Sequence, residues 1–288
     1  MMMPLEETPL AGKVRTRKGS MFHLVSADWV AQRLGSPEFL VIDPRSALRY
    51  MSGHPKNAVN FPVAKQRDAE GRLLGAEELA RRLGNAGLDA QHAPVIYDNA
   101  DGRSAAFLAW ILAYLGRADV HVMETFWEQW VAEGREVFYR PVQPTARQFV
   151  AKIRPELRAA TSDVQKNAAK LVDLRTTDEF SGKAEIDARP GRIPGAVNLS
   201  CDKIGANGKI LRAPERLEEM FEARGVKRGE NSIAYCRTGV RAALGFLALA
   251  QIGYTVALYD GSYAEWSGSG LPVENDREKD EKGEGAHV

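Results

Sequence analysis

Cysteine and long apolar runs are the two features that this sequence has least of. Its 288 residues include two cysteines, Cys201 and Cys236, which are too few for a disulfide framework or a structural zinc site built from thiolates. One disulfide between them stays open as an alternative. No apolar run reaches the roughly 18 to 20 residues of a membrane-spanning helix, and the N-terminus lacks the apolar core of a secretion signal. We therefore expect a free thiol in the reducing cytoplasm and no membrane partner.

Net charge and histidine are scarce as well. The formal net charge is +1, so the molecule as a whole has no field that would attract nucleic acid, and any anion must be bound by a local site. The 5 histidines lie in the first half of the chain or near a terminus, and none is placed to act as a base for Cys236. We expect no nucleic-acid partner, no metal and no other cofactor.

The chain repeats itself at long range. Val41–Arg45 (Val-Ile-Asp-Pro-Arg) returns as Leu171–Arg175 (Leu-Val-Asp-Leu-Arg), an offset of 130, and Tyr97-Asp98 returns as Tyr235-Cys236, an offset of 138. The second copy has therefore gained eight residues, in the region 183–191. Self-similarity of this length predicts two copies of one domain, because solenoid repeats are far shorter. The length of the chain also favours two domains.

Strand-like and helix-like segments alternate in the first copy, which predicts a parallel α/β sheet. Short apolar runs predict strands at 39–43, 95–97 and 120–123, and apolar spacing predicts helices at 28–34, capped by Ser26, and at 76–83 and 103–115. Composition then divides the chain into a mobile arm (1–20), a first domain (21–138), a proline-containing linker (139–150), a second domain (151–273) and a charged, disordered tail (274–288).

The candidate nucleophile is Cys236, which lies where a predicted strand ending at Tyr235 passes into a predicted helix at 242–252. The first turn of a helix has unpaired N–H groups and partial positive charge, so a thiol placed there ionises more readily. Arg237 and Arg241 add a place for an anion. The first copy has Asp98 at the equivalent position, and a carboxylate is a poor nucleophile toward sulfur. We therefore predict that the first domain is catalytically silent.

The loop Cys236-Arg-Thr-Gly-Val-Arg241, between a strand and a helix, resembles the active-site loop of the rhodaneses, or thiosulfate sulfurtransferases. Val172–Arg175 with Arg192–Asn198 is similar to the family's N-terminal signature, although Arg192 stands where histidine is usual. Tyr259–Trp266 is similar to the C-terminal signature, with Tyr263 where tryptophan is more usual. The resemblance covers about 22–272 and implies two tandem rhodanese-like domains, each a mainly parallel sheet flanked by helices.

The resemblance implies ping-pong transfer of sulfane sulfur. A small anionic donor such as thiosulfate would leave its outer sulfur on Cys236, and a thiophilic acceptor such as cyanide, or a protein acceptor, would remove it. The loop backbone at Thr238, Gly239 and Val240 would hold the persulfide. The residues implied for substrate binding are Arg237, Arg241 and, in the eight-residue insertion, Arg189. Arg241 has a second predicted role, to brace the loop.

Several neighbouring residues are predicted to be structural. Gly239 is expected to adopt a backbone angle that other residues resist. Asp173 and Arg175 are expected to pair and brace the end of the sheet, and Asp260 and Trp266 to line or close the site. Cys201 is expected to be a small buried apolar residue.

Three other functions compete with a thiosulfate sulfurtransferase. In 3-mercaptopyruvate sulfurtransferases glycine usually follows the cysteine, and the family places an arginine where this chain has Glu179, so Arg237 and Glu179 favour thiosulfate. Protein phosphatases and arsenate reductases place five residues between cysteine and arginine, whereas four separate Cys236 from Arg241. The third alternative is a non-enzymatic role, as a persulfide carrier or a docking module for a partner protein.

Overall fold

The computed structural model describes residues 14–15, 19–99 and 101–276, so much of the predicted arm and tail lies outside the described residues. Two described parts depart from those expectations. Val14–Arg15 forms a strand that pairs antiparallel with Leu24 and Val25. Glu274, the first residue of the predicted tail, exchanges two backbone hydrogen bonds with Arg192, at 2.7 and 3.0 Å. The chain is therefore ordered beyond both predicted boundaries at these points.

The first unit is a parallel sheet with one antiparallel edge strand and helices around it. Its order among the described strands is β1-β2-β6-β5-β3-β4, with every pair except β1–β2 parallel. The elements are β1 (Val14–Arg15), β2 (Phe22–Val25), α1 (Ala27–Ala31), β3 (Phe39–Asp43), α2 (Ala47–Met51), β4 (Val59–Asn60), α3 (Ala76–Asn85), β5 (Ala93–Ile96), α4 (Arg103–Tyr114), β6 (Val120–Met123) and α5 (Trp127–Ala132). Ser26 caps α1 as predicted, but this helix ends at Ala31, before the expected Leu34.

The second unit repeats the first. Its sheet has the order β10-β9-β7-β8 within the described residues, and all pairs are parallel. The elements are α6 (Thr161–Gln165), β7 (Lys170–Asp173), α7 (Thr177–Ser181), β8 (Val197–Asn198), α8 (Pro214–Glu222), β9 (Asn231–Tyr235), α9 (Val240–Gln251), β10 (Thr255–Leu258) and α10 (Ser262–Gly268). This order matches β6-β5-β3-β4, so the predicted duplication and the tandem α/β fold are confirmed.

Helices α4 and α9 join the two units. Each follows the loop that starts at Asp98 or Cys236, and each is apolar on nearly all sides, which is the composition of a helix buried within a core. The two helices pack against each other. Phe22 of the first unit meets Phe246 of the second edge to face, with ring centroids 6.1 Å apart. One apolar core therefore continues across both units.

Residues 139–154, which connect the units, contain no helix or strand in the described chain. The backbone N–H groups of Arg147, Lys152 and Arg154 donate to carbonyl oxygens of the first unit, at 2.8 to 2.9 Å. This segment is therefore fixed along the surface of the first unit. Within the described residues, no helix has both the length and the apolar character needed to cross a membrane.

Candidate active site

Cys236 lies at the end of β9, and Gly239 caps the start of α9. The thiol is buried, and the backbone N–H of Gly239 donates to its Sγ at 3.1 Å. Gly239 has a φ of 90°, and a Cβ at this position would lie 2.8 Å from the carbonyl oxygen of Asp260. Only glycine fits both constraints. The loop therefore directs a backbone donor at the sulfur, as the position before a helix predicts.

The segment Tyr259–Trp266 encloses the loop from one side. The N–H of Tyr263 donates to the carbonyl oxygen of Cys236 at 3.0 Å. The N–H of Cys236 donates to Ser262 Oγ at 3.2 Å, and this hydroxyl donates to the carbonyl oxygen of Tyr259 at 2.7 Å. Ser262 is fully buried and has a φ of 57°, a value uncommon for residues other than glycine. The segment thus fixes the backbone of Cys236.

Arg241 is held by a carboxylate. Its Nη1 and Nη2 donate to the two oxygens of Glu179 at 2.6 and 2.7 Å. Burial alone would raise the pKa of Glu179, but hydrogen bonds from Arg241 and from the backbone and hydroxyl of Thr176 lower it to about 2. Glu179 is therefore charged and neutralises Arg241. This geometry favours the bracing role for Arg241 over direct contact with a substrate.

Arg237 faces the eight-residue insertion. Its Nε donates to Asp187 Oδ1 at 2.9 Å, and 41% of its side chain remains exposed. Asp187 was not among the residues predicted from the sequence, although it lies in the eight-residue insertion. Arg189 contacts α10: its carbonyl oxygen accepts from the hydroxyl of Tyr263 at 2.7 Å, and its Nη1 is 3.4 Å from the carbonyl oxygen of Ser267.

Asp173 and Arg175 brace the sheet end, as predicted. Both are buried, and Arg175 Nη2 donates to Asp173 Oδ2 at 2.6 Å and to the carbonyl oxygen of Gly191 at 2.7 Å. The guanidinium also lies 3.9 Å from the centre of the Tyr263 ring. Asp260 is likewise structural, since Arg158 donates to both of its oxygens, at 2.7 and 2.9 Å.

An arginine from the first unit reaches the loop. Arg67 Nη2 donates to the carbonyl oxygen of Thr238 at 2.6 Å, and its Nη1 donates to that of Gly71 at 2.5 Å. Burial lowers the pKa of Arg67, while the negative charge of Asp260 opposes this effect. Nothing in the local sequence marks Arg67, which is 169 positions before Cys236 in the chain.

The second cysteine and the first-domain loop are placed differently from Cys236. Cys201 is 2% exposed, and burial raises its pKa to about 12, which fits the predicted apolar role. In the first unit Asp98 occupies the position equivalent to that of Cys236, and it accepts from the N–H groups of Asn99 and Ala105 at 2.8 and 2.9 Å. Burial raises the pKa of Asp98 to about 7 against the effect of these bonds. Ala100, in the same loop, lies outside the described residues.

Metal ligands are not grouped in the described residues. No set of three or more histidine, cysteine, aspartate or glutamate side chains there is arranged to hold a metal ion. The site combines a buried thiol, a backbone N–H directed at it, two arginines of the second unit (Arg237 and Arg241) and one of the first unit (Arg67). This arrangement suits covalent catalysis in which negative charge develops on sulfur.

The fold and this loop define a two-domain α/β protein with one cysteine site. The sequence profile of the rhodanese-like domain matches residues 26–133 and 156–269. The chain therefore belongs to the rhodanese family.

Relatives of known name cover almost the whole chain. The thiosulfate sulfurtransferase of Corynebacterium glutamicum is 32% identical over 273 residues, which are 87% of this chain and 90% of that protein. The sulfur carrier protein TtuD of Thermus thermophilus is 29% identical over 278 residues, 87% of this chain and 95% of that protein. A crystal structure of a 3-mercaptopyruvate sulfotransferase from Escherichia coli matches with a TM-score of 0.76 and 28% identity, covering 83% of this chain and 98% of that one. These similarities support a sulfurtransferase and do not distinguish between the sulfur donors.

Proposed function

We propose that the protein transfers sulfane sulfur from thiosulfate to a thiophilic acceptor such as cyanide, through a persulfide on Cys236. The observation that carries this proposal is the N–H of Gly239, 3.1 Å from the sulfur of the buried Cys236 at the start of α9. A donor in this position stabilises negative charge on a thiolate and on the persulfide that replaces it.

The reaction has two steps. In the first, the Cys236 thiolate attacks the outer sulfur of thiosulfate, a new S–S bond forms, and the donor's S–S bond breaks with its electron pair leaving on sulfite. In the second, cyanide attacks the outer sulfur of the persulfide, thiocyanate leaves, and the Cys236 thiolate returns. Arg237 is the residue we assign to the sulfonate oxygens. Its Nε is taken by Asp187, but a guanidinium has further N–H groups in the same plane for an anion.

The charge balance around the loop favours thiosulfate over 3-mercaptopyruvate. The carboxylate of 3-mercaptopyruvate needs a cation whose charge is not already balanced, and Glu179 balances the charge of Arg241 by accepting from both of its Nη groups. The same pairing neutralises the arginine that a phosphatase with a similar loop would use to bind phosphate. We expect kcat/KM for thiosulfate to exceed that for 3-mercaptopyruvate, and a reversed ratio would overturn the choice of donor.

Intact mass spectrometry tests the persulfide. After treatment with thiosulfate, the protein should gain the mass of one sulfur atom, and cyanide should remove it. Cys236→Ala should gain nothing, whereas Cys201→Ala, which removes the other thiol of the second unit, should still gain one sulfur. Sulfur that remains on the Cys236→Ala protein would contradict the proposal.

A persulfide carrier is the second candidate, because one relative is named a sulfur carrier protein. The two functions share the Cys236 persulfide and differ in what removes the sulfur. Protein loaded with labelled thiosulfate should release thiocyanate rapidly with cyanide if small acceptors are its substrates. Slow release to cyanide, together with rapid transfer of label to a second protein, would favour the carrier.

A further inference from the structure

We propose that Arg67 of the first unit is a positioning residue for sulfur transfer, acting through the peptide that joins Thr238 to Gly239. The inference rests on the proposed function in taking Cys236 as the nucleophile. Arg67 Nη2 donates to the carbonyl oxygen of Thr238 at 2.6 Å, and the N–H of Gly239 donates to Cys236 Sγ at 3.1 Å. The carbonyl and the N–H belong to one peptide unit. In a trans peptide they point in opposite directions, so Arg67 and the sulfur lie at the two ends of one dipole.

This arrangement affects the sulfur in two ways. A cation on the carbonyl oxygen polarises the amide, and the N–H at the other end becomes a stronger donor. The contact also fixes the plane of the peptide. Gly239 has a φ of 90° and no side chain, so its own conformation restrains that plane weakly. A flipped peptide would direct the Thr238 carbonyl oxygen at the thiolate, and the bond from Arg67 opposes that flip.

Arg67 is itself held in place by the first unit. Its Nη1 donates to the carbonyl oxygen of Gly71 at 2.5 Å, and its guanidinium lies 4.9 Å from the centre of the Phe107 ring in α4. Both of its hydrogen bonds within the described chain go to carbonyl oxygens, whereas Arg241 and Arg158 are paired with carboxylates. Its guanidinium therefore bonds directly to the peptide that carries the N–H donor to the sulfur, rather than to a carboxylate.

The first unit thereby gains a role at a site to which it gives no nucleophile. In the first unit Asp98 stands where the second unit has its thiol. Arg67 of the first unit nevertheless reaches across the domain boundary and contacts the loop of the second unit. The loop of the second unit should function fully only when the first unit is docked against it.

Two variants of Arg67 and one control test the role. Arg67→Met removes the charge and both hydrogen bonds, and Arg67→Lys keeps a charge that cannot reach both carbonyl oxygens. Arg103→Met is the matched control, because Arg103 also crosses the domain boundary, to Asp202 at 2.6 Å, without touching the loop. Urea unfolding of each variant establishes that it is folded.

The first readout is steady-state kinetics with thiosulfate. For Arg67→Met we expect kcat to fall about tenfold while KM changes by less than about twofold. The reason is that the N–H of Gly239 is misplaced relative to the sulfur, whereas the residues that bind thiosulfate are not. Arg67→Lys should recover part of kcat, and Arg103→Met should match the wild type. A raised KM with unchanged kcat would mean that Arg67 binds thiosulfate directly. Equal losses of kcat in Arg67→Met and Arg103→Met would mean a general effect of the interface between the units. Either result overturns the proposal.

The second readout does not depend on sulfur transfer. The rate at which iodoacetamide alkylates Cys236 at neutral pH, followed by mass spectrometry, reports the reactivity of the thiol alone. We expect Arg67→Met to slow it about tenfold and Arg103→Met to leave it unchanged. An unchanged rate in Arg67→Met would overturn the role of Arg67 even if the wild type transfers sulfur. If the wild type gains no sulfur from thiosulfate, the proposed function fails and the alkylation rates still decide the role of Arg67.

Discussion

Glu179 lies where the resemblance to 3-mercaptopyruvate sulfurtransferases predicts an arginine, and its carboxylate holds Arg241 at 2.6 and 2.7 Å. The same carboxylate accepts from the N–H and hydroxyl of Thr176, at 3.1 and 3.0 Å, at the start of α7. One side chain therefore caps a helix, neutralises a cation of the loop and fixes the first turn of α9. Its loss should affect both stability and the shape of the site.

We predict that Glu179→Gln lowers the free energy of unfolding by about 2 kcal/mol at pH 7, because it leaves Arg241 without its charged partner. The pKa of Glu179 is about 2 in the folded protein, against an ordinary value of 4.5. Its contribution is therefore complete above about pH 4.5 and is lost as the pH falls toward 2. Urea unfolding of wild type and variant should differ most at pH 7 and much less at pH 3.

The control for this prediction is Glu219→Gln. Glu219 pairs with Arg216 at 2.8 Å, but both side chains are more than half exposed. Exposed pairs contribute little, so this variant should stay within about 0.5 kcal/mol of the wild type. A loss of the same size in both variants, or a Glu179→Gln loss that does not shrink at pH 3, would contradict the assignment.

Individual residues of the site were predictable where local spacing marks them. Cys236 and Gly239 follow from the strand, loop and helix pattern, and the Asp173–Arg175 pair follows from its repetition as Asp43–Arg45, paired at 2.6 Å. Asp187 and Arg67 were not predictable. Their partners lie 50 and 171 positions away in the chain, and such contacts depend on how the elements pack.

Among the helices and strands, apolar runs located most boundaries to within one or two residues, and the helix starts predicted at 76 and 103 are those of α3 and α4. The strands predicted at 39–43 and 120–123 have those bounds. Helix α9 begins at Val240, two residues before the predicted start at Ala242. The reason is Gly239, whose left-handed conformation lets the helix start directly after the loop, so that the polar Arg241 belongs to the first turn.

Glycine substitutions test this geometry. Gly239→Ala should destabilise the protein by about 3 kcal/mol, from a left-handed conformation that costs about 1 to 2 kcal/mol and a clash with Asp260 that adds about 1 to 3 kcal/mol. It should also abolish sulfur loading, since the donor to Cys236 moves. Gly229→Ala is the control: its φ is 86°, but nothing lies within 4 Å of the added Cβ. That variant should lose only about 1 to 2 kcal/mol and keep sulfur loading. Equal unfolding energies for the two variants would show that the contact with Asp260 is unimportant.

At the scale of the whole molecule, the repeat predicted two domains but not how they join. Helices α4 and α9 are apolar on nearly every side, so their sequences indicate burial without indicating which surface covers them. The structure shows that they cover each other and that one core continues across both units. The first unit is therefore part of the fold of the second, which the residues of its own loop could not reveal.

A shared core predicts that the two units unfold together. Phe246→Ala in α9 removes a fully buried ring that meets Phe22 across the boundary, so it should lower the free energy of unfolding by about 3 to 5 kcal/mol.

Tryptophan fluorescence reports mainly the first unit, which holds Trp29, Trp110, Trp127 and Trp130, whereas both cysteines lie in the second. In urea, fluorescence and thiol labelling should give one midpoint in the wild type and one lower midpoint in Phe246→Ala, because neither unit keeps a closed core without the other. Thiol labelling that moves to lower urea while the fluorescence midpoint stays in place would show that the units unfold independently.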